Sequence, residues 1–261
     1  FTFSSIGAIS IYLIIIYSQR INKVLFSYNS IFLSILIFFN PLLWNLSNRY
    51  MSDLFGLSIL MIIFYNLIKN IKNISEINLI KSSFLTGILI GVRISFIPFL
   101  LPLYFLIIRK IKIRLFFKCI SSLSIGLFLW LIPLILITGL EEFVNISLKH
   151  INGHFFNWGG GVLSSNSSFF IRIIKIIESI WADGLGCWWN GRHWLTAIVG
   201  SFTLILSIRT IKQIQFKVEK KELLILYYCL ITYFIWIFLF QNIVYKPRHI
   251  IVFIPFILLF I

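Results

Sequence analysis

"TGILIGVRISFIPFLLP", residues 86–102, sets one arginine in the middle of an otherwise apolar run. Gly87 and Gly91 precede Arg93, and Pro98 and Pro102 follow it. Two readings compete. One is a single tilted helix over 82–108, about 40 Å long at 1.5 Å per residue. The other is two short helices, about 82–91 and 95–108, that meet at Arg93 and bring the chain back to the side it came from. The second fits the glycines and prolines, which loosen or break a helix interior. Its tip has to be buried in protein or face a water-filled cavity, because irregular backbone cannot face lipid.

The charge pattern outside this run chooses between them. Apolar runs fall at about 4–18, 24–44, 54–68, 82–108, 119–138, 194–208, 223–240 and 247–261. A span needs roughly 20 apolar residues. Lys and Arg in the successive connections number 2, 1, 3, 5, 4, 5 and 2. With a single crossing at 82–108, the loop 109–118 with its five bases lies opposite the basic loop 69–81, against the positive-inside rule. With a turn at Arg93 the inside connections hold 15 bases and the outside segments 7. The hairpin reading therefore carries the topology.

Composition sets the class. The chain is 59% hydrophobic, 18% aromatic and 12% charged, against about 25% charged in soluble domains. That excludes a soluble protein. A formal charge of +15 suggests nucleic acid in a soluble chain, but here the bases sit in short loops between apolar runs and serve orientation. We therefore expect no nucleic-acid partner. The expected fold is all-α, a polytopic transmembrane helix bundle of about nine membrane segments that include the short broken pair. Residues 1–261 form a single integral membrane domain. The chain opens on Phe1 and stops at Ile261 inside an apolar run, so a first helix, a first outer loop and C-terminal helices are expected to lie beyond it. Cys119, Cys187 and Cys229 make neither a disulfide framework nor a paired metal motif.

The one long connection, 139–193, falls outside. In "SSFFIRIIKIIESIWADG" (167–184), Arg172, Lys175, Glu178 and Ser179 recur at helical spacing, which predicts an amphipathic helix on the membrane surface. Trp158, Trp181, Trp188 and Trp189 suit an interfacial aromatic belt. His150 and His154 stand four apart with Gly153 between them, which weakens a helical metal-ligand pair. Together with Cys187 they keep a divalent metal open as a cofactor. Hydrogen bonds to a polar substrate are the other use of these histidines.

On the outer face, where bases are discouraged, Arg49, Arg93, Arg192, Lys246 and Arg248 stand at or near helix ends. Each alone can be a snorkelling side chain. Together they point to an anion site. In "YKPRHIIVFIPFILLF" (245–260), Pro247 predicts a helix start with Arg248 and His249 in its first turn. A cation is misplaced at that positive pole unless an anion sits beside it. A phosphate at this depth implies a lipid-linked one. Asp53, in "NPLLWNLSNRYMSDLFG" (40–56), has two readings: a helix-start carboxylate or local partner of Arg49, or a carboxylate in the outer cavity that binds or deprotonates an acceptor. Asp183 is a minor candidate beside "GLGCWWNGRHW" (184–194).

The stretches "NPLLWNLSNRYMSDLFG" (40–56) and "YKPRHIIVFIPFILLF" (245–260), with "GILIGVRISFIPFLLPLYF" (87–105), resemble the GT-C glycosyltransferases, nearest to the dolichyl-phosphate-mannose protein mannosyltransferase and aminoarabinose transferase-like group of bacteria. The resemblance implies transfer of a sugar from a polyprenyl-phosphate donor to a glycan, lipid or protein acceptor on the extracytoplasmic face, in a bacterial inner membrane. By the match Lys246 and Arg248, with Arg93 and His249 beside them, hold the donor phosphate, and Asp53 takes a secondary acidic position. Arg49, His150, His154, Asp183 and Arg192 remain for acceptor or sugar contacts. The family's principal carboxylate belongs to a first outer loop expected to lie outside this sequence. A transporter or flippase of lipid-linked sugars, and an O-antigen ligase or polymerase-like enzyme, are the alternatives.

Overall fold

In the computed structural model the residues described are 2–26, 30–49, 51–157, 161–162, 167–215, 221–244 and 246–261. Among them there is no strand. The helices are α1 Thr2–Leu25, α2 Ser30–Phe38, α3 Pro41–Ser47, α4 Asp53–Asn70, α5 Glu76–Arg93, α6 Ile97–Ile108, α7 Ile113–Thr138, α8 Leu140–Asn152, α9 Phe169–Glu178, α10 Thr196–Gln215, α11 Lys221–Phe240 and α12 Phe253–Leu258. Five helical runs are long and apolar enough to cross a membrane: 4–25, 53–70, 76–108, 113–138 and 221–240. The chain has the make-up of a membrane protein.

The third of these runs is broken at Arg93. There the backbone leaves helical geometry (φ −158°, ψ 78°) and passes through a short 3-10 turn, Ile94–Phe96, into α6. The chain then doubles back. The Thr86 and Tyr104 hydroxyls lie 2.6 Å apart across the two arms, and Lys110 beyond α6 donates to the Ile71 carbonyl beyond α4 at 3.0 Å. The connections after α4 and after α6 therefore share one end of the bundle. The arms differ in length from the expected 82–91 and 95–108. Helix α5 begins at Glu76 and, at 18 residues, is about 27 Å long, because its first turns Asn78–Lys81 are amphipathic and pack rather than unravel.

Helix α7 then runs parallel to α5. Lys118 pairs with Glu76, Ser122 donates to the Ile80 carbonyl at 2.8 Å and the Trp130 indole to the Gly87 carbonyl at 3.1 Å. The two backbones touch where glycine faces glycine. A Cβ on Gly126 would stand 2.2 Å from the Phe84 carbonyl oxygen, and one on Gly87 2.2 Å from that of Leu123. Small residues at such a crossing let van der Waals packing and carbonyl contacts hold two helices together inside a bilayer. The densest core lies instead between α4, α6, α11 and α12, where Phe64, Phe99, Tyr233 and Phe256 are almost wholly buried and interlock edge to face.

Three expectations are corrected. The apolar run 24–44 is not a single span: α2 ends at Phe38 and Pro41 opens α3, with the Asn40 side chain accepting from the Leu43 N–H at 3.2 Å. Proline is at home in a first helical turn and Asn at the cap before it. The last run, 247–261, does not start as an α-helix at Arg248. It begins as a 3-10 turn, Pro247–Ile250, and only the six residues of α12 follow as α-helix; Pro255 lacks the N–H that would link the two. The amphipathic helix expected in 167–184 exists as α9, but two of its four polar positions turn inward, while Lys175 and Glu178 stay partly exposed and pair with each other. Arg172 is fully buried and Ser179 nearly so, while Phe169, Phe170, Ile171 and Ile177 are exposed.

Candidate functional site

The site is built at the junction of three segments distant in the chain: the start of α4, the tip of the α5–α6 hairpin, and the 3-10 turn before α12. Ser52 precedes α4, and Asp53 is its first residue. A carboxylate there complements the exposed N–H groups of the first turn. Asp53 is 1% exposed, and Arg93 Nη2 lies 2.6 Å from its Oδ1. Arg248 Nη1 approaches Oδ2 at 4.0 Å from the opposite side and also meets the Met51 sulfur. Arg49 is exposed; the carboxylate's ion-pair partners come from 40 and 195 residues away, not from the neighbouring turn.

Charge contact here outruns hydrogen bonding. Both Asp53 oxygens, Arg93 Nε and Arg248 Nε are buried without a hydrogen-bond partner among the described residues. The carboxylate is compensated by its ion pairs, while the two Nε groups keep donors to spare. Arg93 and Arg248 keep a fifth to a quarter of their side chains exposed. Lys246 is exposed at the rim. Two guanidinium groups thus share one carboxylate, and Lys246 is near enough to His249 to act on it.

His249 sits beneath this group, outside the five candidate spans. It is buried, and its carbonyl accepts the Tyr233 hydroxyl at 2.9 Å. Burial, followed by the charges of Arg93, Arg248, Lys246 and His154, holds its imidazole well below the ordinary range. The ring is neutral at pH 7 and adds no further charge. Since Arg248 and His249 belong to a 3-10 turn, side chains rather than the N-terminus of an α-helix supply the donors here.

The outer segments cover this end of the bundle. Asn40 donates to the Gly184 carbonyl at 2.6 Å, and a Cβ on Gly184 would reach 2.4 Å from Ile254. The π-type turn Ser179–Gly184 therefore lies between α3 and the approach to α12. Arg172 inserts beneath it and donates to the Phe238 carbonyl (3.0 and 2.6 Å) and the Gln241 carbonyl (2.8 Å). It caps the C-terminal end of α11, where a cation meets the negative pole of the helix. Sequence reasoning had no sign of this, because the accepting carbonyls are 66 and 69 residues away.

The remaining candidates are spread around. Asp183 and Arg192 pair with each other. His154 is half-buried in the turn Gly153–Asn157 against Phe155, and near enough to His249 to act on it. His150 is exposed on α8, and Cys187 is buried. Among the described residues no three of His, Cys, Asp and Glu come together to hold a metal. Trp158 lies outside the described residues. Helix α8 itself was missed: Leu140, Phe143, Val144, Leu148 and Ile151 fall on one helical stripe, and that spacing was there to be read.

The chain matches no family model, no curated protein and no solved structure.

Proposed function

We propose that the chain is the membrane part of a glycosyltransferase that takes a sugar from a polyprenyl-phosphate donor and delivers it at the end of the bundle where Asp53 lies. One observation carries the reading: Arg93, at the break between α5 and α6, and Arg248, in the 3-10 turn before α12, converge on the buried carboxylate of Asp53. Two positive charges against one leave an excess suited to a phosphate. The planar guanidinium fork matches phosphate oxygens in pairs. In glycosyl transfer from such a donor the bond from the anomeric carbon to the phosphate oxygen breaks, and the oxygen keeps the electron pair. Cations fixed beside that oxygen stabilise the charge as it develops.

Asp53 then serves as a positioning residue. Nearly excluded from solvent and flanked by two guanidinium groups, it has no open path to an acceptor hydroxyl. Its work is to hold Arg93 and Arg248 in place so that the phosphate meets them without reorganisation. His249, neutral and anchored through Tyr233, keeps the turn carrying Arg248 in position. The acceptor is approached from the covering segments, where the Asp183–Arg192 pair, His154 and Arg49 stand exposed or half-exposed.

The sidedness follows from charge. The opposite end, with the connections after α1, α4 and α6, carries the basic loops and faces the cytoplasm under the positive-inside rule. The Asp53 end is then extracytoplasmic, and a bacterial inner membrane is the location this reading proposes. A flippase of lipid-linked sugars is the second reading, favoured by the arginine at a helix break. The two part in one assay. In proteoliposomes of the full-length protein, labelled sugar moves from a polyprenyl-phosphate donor onto an acceptor if the chain is a transferase. Arg248→Ala abolishes that transfer while membrane insertion persists. Transfer at the wild-type rate in the variant removes Arg248 from the site, and translocation of donor without transfer favours the flippase.

A further inference from the structure

A polar groove lies at the other end of the bundle, near the far ends of α1 and α4. It is open to its surroundings, has a volume of about 530 Å³ and is lined by Tyr17 of α1, Asn66 of α4, Asn78 and Lys81 of α5 and Ser122 of α7, above an apolar floor that includes Phe84. Arg20 stands beside this lining rather than in it, its guanidinium 4.9 Å from the ring centre of Tyr17, which lines the groove, and 5.8 Å from that of Tyr65. We infer that this groove binds the phosphodiester headgroup of an anionic phospholipid of the inner leaflet, with Lys81 and Arg20 on the phosphate and Asn66 and Asn78 on the glycerol oxygens.

Bases at this end serve orientation in general, so what sets these two apart is their surroundings. The acids described at this end are Glu76 and Glu222. Glu76 pairs with Lys118, and Glu222 with Lys72 at 3.0 Å. Neither reaches Lys81 or Arg20, and no other ion pair is made by these two cations among the described residues. The amides of Asn66 and Asn78 also have no hydrogen-bond partner there, although both face the cavity. Donors, amides and an aromatic wall thus surround one space without an acid in it. Asn78 and Lys81 belong to the first two turns of α5 and Asn66 to the last turns of α4, which is headgroup depth if these helices span. Phe84 and Leu85 continue the wall one turn deeper, where acyl chains begin. A phosphate fits this pattern, since Lys and Arg near a membrane surface each add about 1 kcal/mol towards anionic lipid.

The test uses the full-length protein in detergent micelles, with melting temperature followed as phosphatidylglycerol or phosphatidylcholine is added. Phosphatidylglycerol raises the melting temperature beyond phosphatidylcholine, and the Arg20→Gln/Lys81→Gln variant loses that increment. Its apparent affinity for phosphatidylglycerol falls about fivefold for each cation removed. The Arg20→Lys/Lys81→Arg variant keeps the increment, which separates lost binding from lost folding. Lys69→Gln/Lys112→Gln removes two exposed bases from the same end outside the groove and also keeps it. Equal loss in this control, or no loss in the first variant, overturns the site. Inorganic phosphate reproducing the full increment overturns the lipid assignment in favour of a free anion.

Discussion

The two ends of the bundle use charge in different ways. At the end with the basic loops, the Lys118–Glu76 pair is about half exposed on both sides. At the other end, Asp53 is almost fully buried and shared between two arginines. Water screens the first arrangement, and exposed pairs of that kind contribute about 0–1 kcal/mol. The second is shielded, so its groups interact strongly and removing one leaves the others uncompensated. The contrast separates a solvent-screened pair from a shielded, shared carboxylate.

The sharpest way to break the comparison is to remove the shared carboxylate. Asp53→Ala leaves two guanidinium groups facing each other in a buried setting, and stability in detergent falls by roughly 3–5 kcal/mol, the range for breaking a buried pair. A fall of under 1 kcal/mol in thermal or denaturant unfolding would place the junction in the same class as the surface pairs. Next comes the cap on α11. Arg172→Met preserves volume but strands the Phe238 and Gln241 carbonyls, lowering stability by about 1–3 kcal/mol, measured the same way. Lys118→Gln, at the other end, changes stability by less than about 1 kcal/mol. The order of these three effects is itself the prediction.

A gentler probe is pH. His249 has its imidazole held below its ordinary value of about 6.5, so between the folded value and about 6.5 the unfolded chain binds a proton that the folded chain refuses. Stability is therefore flat above about pH 6.5 and declines as pH falls below it. His249→Gln removes that part of the slope. A melting temperature with the same acid-side slope in both proteins would mean that His249 does not contribute it.

What could be read in the sequence depended on how far apart the deciding residues lie. The break at Arg93 was legible because glycines, prolines and the base counts of two flanking loops all bear on a short stretch. Arg93 and Arg248 stood out as candidates because their charges are disfavoured on one face, and the structure brings both to Asp53. The partner of Asp53 was not, since Arg49 was the only neighbour that spacing could offer, while the pairing arginines arrive through tertiary packing. The orientation of α9 shows the same limit. Periodicity marked its polar positions but could not say that Arg172 and Ser179 would turn inward, because the carbonyls that Arg172 satisfies terminate a helix far along the chain. Helix α8 failed for a plainer reason: its stripe lay in a long connection read as a loop.

Affinity for a phosphate-bearing isoprenoid tests the central claim most directly. Farnesyl phosphate and farnesol share their hydrocarbon and differ in the one group the arginines are argued to hold. Titrated into the purified full-length protein, farnesyl phosphate binds more tightly than farnesol, and Arg248→Ala erases about ten- to a hundredfold of that preference, as expected for charged hydrogen bonds. Equal binding of the two ligands by the wild type, or a preference that survives in the variant, would contradict the account.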